Sequence, residues 1–438
     1  MNYLKSFEDF VIDRKSKVEE NSNEINEGGA YGHMDHPFED NELTFGDMKE
    51  ICNLTINGLF TDENMVAEKT DGQNLMVCWK DGKLFAARKA THYKNKGEQA
   101  FSKEDIKEFE KSPEVVKQSW YDAMEDLENA LSHCDQNKLK DMFRDGERFM
   151  SLEVICPETE NIIPYDQSML VFHGWKEYDI NGNELQEDKE SAKELDRLIR
   201  DVNKQQQRRF LIRGPQELKN IKPFINHEEK YKNYIDRISE IMSKRPEYTD
   251  DTTIKDYLMS ETKEFLYNEI PELKDVEWGK ITMDNVVANV SGLNKSIRLN
   301  TITSFLKPYA GVGDKVSAIQ KNKKFRNTIL KPVISLFMDL GLDTCRNMRM
   351  FLALNLSDAS VRLRNKYLNS IREIKETGTD ENIAYMENQL ASLADPSVLE
   401  NIIPTEGITF IYKNKIYKLT GYFQVLNNIC NVLKYNKK

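Results

Sequence analysis

Lys69 is the residue whose setting most suggests chemistry. In Val66-Ala67-Glu68-Lys69-Thr70-Asp71-Gly72-Gln73-Asn74 it ends a short apolar run and precedes an Asp-Gly turn and a second apolar run, so its amine is expected at a rigid strand end. That suits a covalent nucleophile. An ordinary lysine, with a pKa of ~10.4, is about 99.9% protonated at neutral pH, so it attacks only where its surroundings favour the neutral amine. A solvated lysine before a turn is the plain alternative, and a four-residue pattern does not exclude it.

Three further segments follow in order. Phe149-Met150-Ser151-Leu152-Glu153-Val154-Ile155 places one acid inside an apolar strand-like run, and Met169-Leu170-Val171-Phe172-His173-Gly174-Trp175 comes next. Near the C-terminus stand Glu406-Gly407-Ile408-Thr409-Phe410 and Tyr417-Lys418-Leu419-Thr420-Gly421. Together these resemble the covalent lysine nucleotidyltransferases, the superfamily of RNA ligases, DNA ligases and mRNA capping enzymes. Glu68-Lys69-x-x-Gly72-x-Asn74 is most similar to the phage type 2 RNA ligases, and the resemblance covers roughly residues 60 to 180 and 400 to 422.

The resemblance implies that Lys69 attacks the α-phosphorus of ATP in line, expels pyrophosphate and carries a lysyl-adenylate that is passed to a 5′-phosphate end. A hard cation, Mg²⁺ or Mn²⁺, held by one or two carboxylates and substrate oxygens suits Glu153 and Glu406. Lys418 would reach the α-phosphate, and Arg88 the nucleotide or the 5′-phosphate. Glu68 and Asn74 would fix the nucleoside and the lysine, with Asp71 and Gly72 forming the turn of the nucleotide site, and Phe172 would stack on the base. Two departures stand out. His173 occupies the place where an Asp usually follows the aromatic, and Lys418 is followed two positions later by Thr420 rather than by a second lysine. Lys415 could substitute, but an odd offset from Lys418 turns it to the other face of a strand.

The elements that must position these residues can be read coarsely. Lys83 to Arg88 follows the Asp81-Gly82 turn, a hairpin signal, and a second hairpin is expected with Ile408 to Tyr412 and Lys415 to Leu419 flanking Lys413-Asn414. Strands are expected over about 64 to 90 and 148 to 180, with helices over 103 to 145. Arg208, Arg209 and Arg213, around Phe210-Leu211-Ile212, would form another strand carrying cations towards a phosphate channel. From about 216 to 400 the spacing is mostly helical. About 250 residues separate Glu153 from Glu406, which argues for a helical domain inserted into a catalytic one. The fold class expected is α+β, a nucleotidyltransferase fold of twisted antiparallel sheets with a large helical insertion. Four segments follow: an acidic N-terminal 1–60, a first catalytic part 61–215, a helical 216–400, and a closing hairpin and helix 401–438.

Composition fits this organisation. With 438 residues and 39% hydrophobic content the chain can bury substantial cores. No apolar run approaches the ~18 residues of a membrane span, and the start lacks a signal-peptide core, so a cytoplasmic protein is expected. The six cysteines form no close pair, which favours free thiols over zinc or disulfides. The net charge of −11 is concentrated in residues 1–64, which hold 15 acids against 5 Lys/Arg, whereas 315–366 holds 11 Lys/Arg against 3 acids. Lys321, Lys323, Lys324 and Arg326 in that basic block are candidates to track RNA phosphates, the alternative being a solvated helical surface. His33, Asp35, His36 and Asp40 lie close together, but no further cluster completes a metal site. About 20 residues follow Lys418, too few for the OB-fold module usual in DNA ligases and capping enzymes. This favours an RNA ligase joining 5′-phosphate and 3′-hydroxyl ends over a DNA ligase, a capping-type transferase or a non-catalytic nucleic-acid-binding module.

Overall fold

The computed structural model describes residues 34–109, 112–188, 190–203, 209–214, 217–293, 297–319, 322–348, 359–391, 404–420 and 423–435. The chain is α+β, with more helix than strand and a curled mixed sheet. Helix α1 (Phe45–Ile56) precedes strands β1 (Ala67–Lys69), β2 (Gln73–Lys80) and β3 (Lys83–Ala87). Helices α2 (Glu114–Ser132) and α3 (Gln136–Phe143) lead to β4 (Arg148–Ile155), β5 (Met169–Tyr178) and β6 (Glu184–Asp188), and α4 (Glu190–Asn203) to β7 (Leu211–Arg213). The helical run comprises α5 (His227–Met242), α6 (Ile254–Glu269), α7 (Met283–Val290), α8 (Leu299–Phe305), α9 (Val312–Ile319), α10 (Lys331–Asn347), α11 (Ala359–Thr377) and α12 (Asp380–Ala391). Strands β8 (Gly407–Tyr412) and β9 (Lys415–Thr420) and helix α13 (Phe423–Tyr435) follow.

Local sequence explains the key elements. Thr44 and Asp47 cap α1 reciprocally, each side chain accepting the other's backbone N–H at 3.1 Å. Both residues of the β2–β3 turn have positive φ, 52° at Asp81 and 73° at Gly82, as a two-residue type I′ hairpin requires. Lys413 and Asn414 do the same at 48° and 61° in the β8–β9 turn. Helix α2 buries Trp120, Ala123, Met124, Leu127 and Leu131, an apolar stripe at helical spacing.

The strands form two sheets. One has the order β3-β2-β4-β5-β6 with antiparallel neighbours, and β7 adds to β5 in parallel, so the larger sheet is mixed rather than purely antiparallel. The other is β1-β8-β9, in which the last hairpin pairs with the strand that ends in Lys69.

Three packed cores divide the chain differently from its linear order. The first joins α1, helices α5 to α10 and the hairpin residues Ile408, Phe410, Tyr417 and Leu419. Burying each such side chain contributes roughly 1.5–3 kcal/mol, so the hairpin is anchored in the helical body. The approach is close: a Cβ on Gly341 of α10 would lie 2.4 Å from the Thr420 carbonyl oxygen. The second core lies between the larger sheet and α2 to α4. The third packs α11 to α13 against Ile155, Met169 and Val171 of that sheet. The helical stretch 216–400 therefore contributes to two cores. Among the described residues, no helix is long and apolar enough to cross a membrane.

Candidate active site

The Lys69–Gly72 segment links the two sheets, and its geometry follows from that. Thr70 Oγ1 and the Gly72 N–H both donate to Glu153 Oε2, at 2.6 and 3.1 Å. Gly72 permits this approach because a Cβ there would come within 3.0 Å of the Val154 carbonyl oxygen. Asp71 faces the other way. Its Oδ2 accepts the backbone N–H groups of Ile162 and Ile163, each at 2.8 Å, and its Oδ1 accepts Asn161 Nδ2 at 2.8 Å. The Asp71 N–H donates to the Tyr165 hydroxyl at 2.9 Å. Asp71 thus anchors the turn through both of its oxygens.

Lys69 Nζ lies 2.5 Å from Glu406 Oε2. Glu406 is positioned by the first residue of β8, since Gly407 pairs with Lys69 and with Thr420, and a Cβ on Gly407 would collide with the Leu419 carbonyl oxygen at 2.2 Å. Burial alone would lower the Lys69 amine, but Glu406, Glu153 and Asp71 outweigh it and hold the amine above its ordinary value. Burial pushes Glu153 up to about 7 against the pull of Lys69, with Glu406 and Asp71 adding to the rise. Asp71 is pushed up to about 6 by burial and by Glu406. The Lys69 amine thus has three carboxyls as neighbours, two of them pushed up by burial.

Lys418 joins this group from β9. Ala67, Thr409 and Lys418 are paired across the small sheet, as are Lys69, Gly407 and Thr420, so Lys418 and Lys69 share a face. Burial pulls the Lys418 amine down to about 8; Lys69 adds to this, while Glu39, Glu406 and Asp35 oppose it. On the larger sheet Asn74 pairs with Glu153, and its Nδ2 donates to Ser151 Oγ at 3.3 Å. Among the described residues, buried oxygens of Glu68, Gln73, Asn74 and Thr420 have no hydrogen-bond partner. Each such orphan costs about 1–3 kcal/mol unless another polar group meets it; these four lie on β1, β2 and β9, with Glu68 on the face opposite Lys69.

Phe172 needs correction. It pairs with Leu152, has no exposed surface and belongs to the core beneath α2, on the face opposite Glu153, which pairs with Val171. The residue that does face Glu153 is His173. A register shift pairs Ser151 with Gly174 and Leu152 with Phe172, so His173 is the extra residue of a bulge, and its Nε2 lies 4.0 Å from Glu153 Oε1. Strand alternation alone gives no sign of such a bulge.

Other residues also depart from their expected places. Arg88 stacks its guanidinium 4.3 Å above Trp120, within the α2 layer, and burial lowers it to about 10. Lys415 points away from Lys69 and pairs with Asp40 at 2.8 Å. Arg209 is engaged by Asp122 and by Glu158, the latter at 2.9 Å, whereas Arg213 pairs with Val171 on the Glu153 side of the sheet and bears electrostatically on Glu68. Lys324 is exposed and pairs with Glu269 at 2.7 Å, and Arg326 is buried in the helical body. Arg326 therefore cannot belong to a phosphate-tracking surface. Arg208, Lys321 and the Lys323 side chain lie outside the described residues, as do His33 and the rest of 1–33.

These positions give a first prediction. Arg326→Glu should destabilise the chain by about 3–5 kcal/mol, because it sets an unpaired charge in a core. Lys324→Glu should cost no more than about 1 kcal/mol, since it loses an exposed pair. Urea melts of the two variants check the contrast; equal midpoints would place Arg326 on the surface after all.

Glu68 gives a second. It pairs with Ile408 on the face opposite Lys69, and burial pushes it up to about 8. A carboxyl raised in the folded state contributes stability below its unfolded value of 4.5 that is lost as pH rises through about 8. Glu68→Gln should therefore match the parent near pH 5 and exceed it above pH 8 by several kcal/mol, at about 1.36 kcal/mol for each pKa unit of the shift. Melting temperatures across that range test this; parallel curves would show an ionised Glu68.

No family model matches the chain, and no curated protein and no solved structure matches it.

Proposed function

We propose that this protein is an ATP-dependent RNA ligase built on a nucleotidyltransferase fold and acting through an adenylate on Lys69. The observation that carries the reading is the meeting of Lys69, Glu153, Glu406 and Lys418, drawn from four separate strands or strand ends, around one partly open lysine. The side chains of Lys69 and Glu406 keep 16% and 15% of their surface, enough for a nucleotide phosphate to reach them. The RNA part of the reading rests on the likeness of Glu68 to Asn74 to type 2 RNA ligases.

The residues divide the work as follows. Glu406 Oε2, at 2.5 Å, is placed to take the proton from Lys69 Nζ. The neutral amine forms a bond to the α-phosphorus as the bond to pyrophosphate breaks. Lys418 holds the α-phosphate oxygens on the Lys69 face, and Thr70 and Gly72 fix Glu153 through its Oε2. Glu153 and Glu406 each engage the protein through Oε2, and their carboxylates suit a hard cation whose site substrate oxygens complete. Bound Mg²⁺ or Mn²⁺ would neutralise phosphate charge and favour the unprotonated amine. A 5′-phosphate end then displaces Lys69 from the adenylate, and a 3′-hydroxyl displaces AMP. Mass spectrometry after incubation with ATP and Mg²⁺ should find AMP on Lys69. Labelling from GTP instead would indicate a capping-type transferase, and no label from either would leave a binding module.

A further inference from the structure

We infer that the acidic segment from Asp35 to Asp47 is a strap that positions the closing hairpin, and with it Lys418 and Glu406, against Lys69. Strand β9 lies at the edge of the small sheet, and Asp35 meets that edge: it bridges to Tyr417 in parallel, and its carbonyl oxygen accepts the Lys418 N–H at 3.0 Å. Two buried carboxylates then grip the face of the hairpin turned away from Lys69. Asp40 Oδ2 accepts Lys415 Nζ at 2.8 Å and the Tyr417 hydroxyl at 2.6 Å, while its Oδ1 accepts the Glu42 N–H at 3.0 Å. Asp47 Oδ1 takes the Tyr412 hydroxyl and Lys413 Nζ, both at 2.7 Å, and its Oδ2 accepts the Thr44 N–H. Of the hairpin's three lysines, two are held on the strap and Lys418 stays on the Lys69 face. Because each carboxylate is also fixed by a backbone N–H, the strap resists sliding, and a one-residue slip of β9 would turn Lys418 away from the site. Part of the acidity of residues 1–64 thus has a positive counterpart within the chain.

The role in the reaction rests on the function proposed above; the hold on the hairpin does not. The full chain carrying Asp40→Asn is the first test, read by amide exchange over 412–420 with 73–80 as reference, and by the initial rate of lysyl-adenylate formation. Exchange over 415–419 should rise and adenylate formation should fall, each about tenfold, an effect of one charged hydrogen bond. Tyr417→Phe, which removes a hydroxyl and leaves the packing, should move both in the same direction and keeps the test sound if Asp40→Asn folds poorly. In a Lys418→Met background Asp40→Asn should cause no further loss of rate, because a positioning group acts through the residue it positions. Unchanged exchange, or a rate loss that simply adds to that of Lys418→Met, would overturn the inference. Should the parent chain form no adenylate, the reaction falls separately and exchange alone decides whether the strap holds the hairpin.

Discussion

Lys69→Ala is expected to reduce covalent transfer of AMP by at least roughly four orders of magnitude, the scale of removing a nucleophile from a site that acts as a unit. The fold should survive, with a pH dependence that has a definite sign. Glu153 and Asp71 already stand at about 7 and 6, above their ordinary values of 4.5 and 3.8, and Lys69 is the neighbour that holds Glu153 down. Without that amine the carboxyls rise further, so they contribute stability at low pH that disappears as pH climbs through their folded values. The variant should melt close to the parent near pH 5 and well below it at pH 8. Labelling on a denaturing gel, followed by peptide mapping, checks the chemistry. AMP still attached in the alanine variant would move the nucleophile elsewhere.

Glu153→Gln and Glu406→Gln should each slow adenylate formation by about 10² to 10³, the loss typical of removing one stabilising group from a preorganised polar site. Their effects on stability should have opposite signs: Glu153→Gln removes a carboxyl that burial pushes up to about 7 and should melt at or above the parent at pH 8, whereas Glu406→Gln takes the 2.5 Å partner from the buried Lys69 amine and should melt below it. The two should differ in detail. Glu406→Gln leaves the Thr70–Gly72 turn untouched and removes the group nearest Lys69 Nζ, whereas Glu153→Gln disturbs the acceptor of that turn. Initial rates across a Mg²⁺ titration, beside thermal melts, separate these effects. Rates within twofold of the parent for both would reduce the two acids to ordinary strand residues.

Residue types and spacing made some of this site legible and hid the rest for physical reasons. Lys69, Glu153, Glu406 and Lys418 sit in short strand-like runs bounded by turn signals, and strand pairing is what unites them. Phe172 and His173 exchanged places because a bulge adds one residue between Ser151 and Leu152's partners, and alternation cannot register an insertion that pairing alone reveals. Arg326 was misplaced because a charge count is blind to burial. The Asp40 and Asp47 contacts join residues more than 360 positions apart, beyond any local pattern. Helical periodicity over 216–400 identified helices without saying which core each would join.

The pairing of β1 with β8 also sets when the site can exist during synthesis. Lys69 and Glu406 are separated by 337 residues, and at roughly 5–20 residues per second the ribosome needs about 15–70 s to deliver the second after the first. Until then the three-residue β1 lacks the neighbour that completes its sheet, and the lysine stands without its closest carboxylate. An unfinished chain would thus carry Lys69 without the carboxylate that lies 2.5 Å from its amine. On the function proposed above, adenylation at Lys69 waits for the closing hairpin, and a chain interrupted before it would carry the lysine without Glu406 and Lys418.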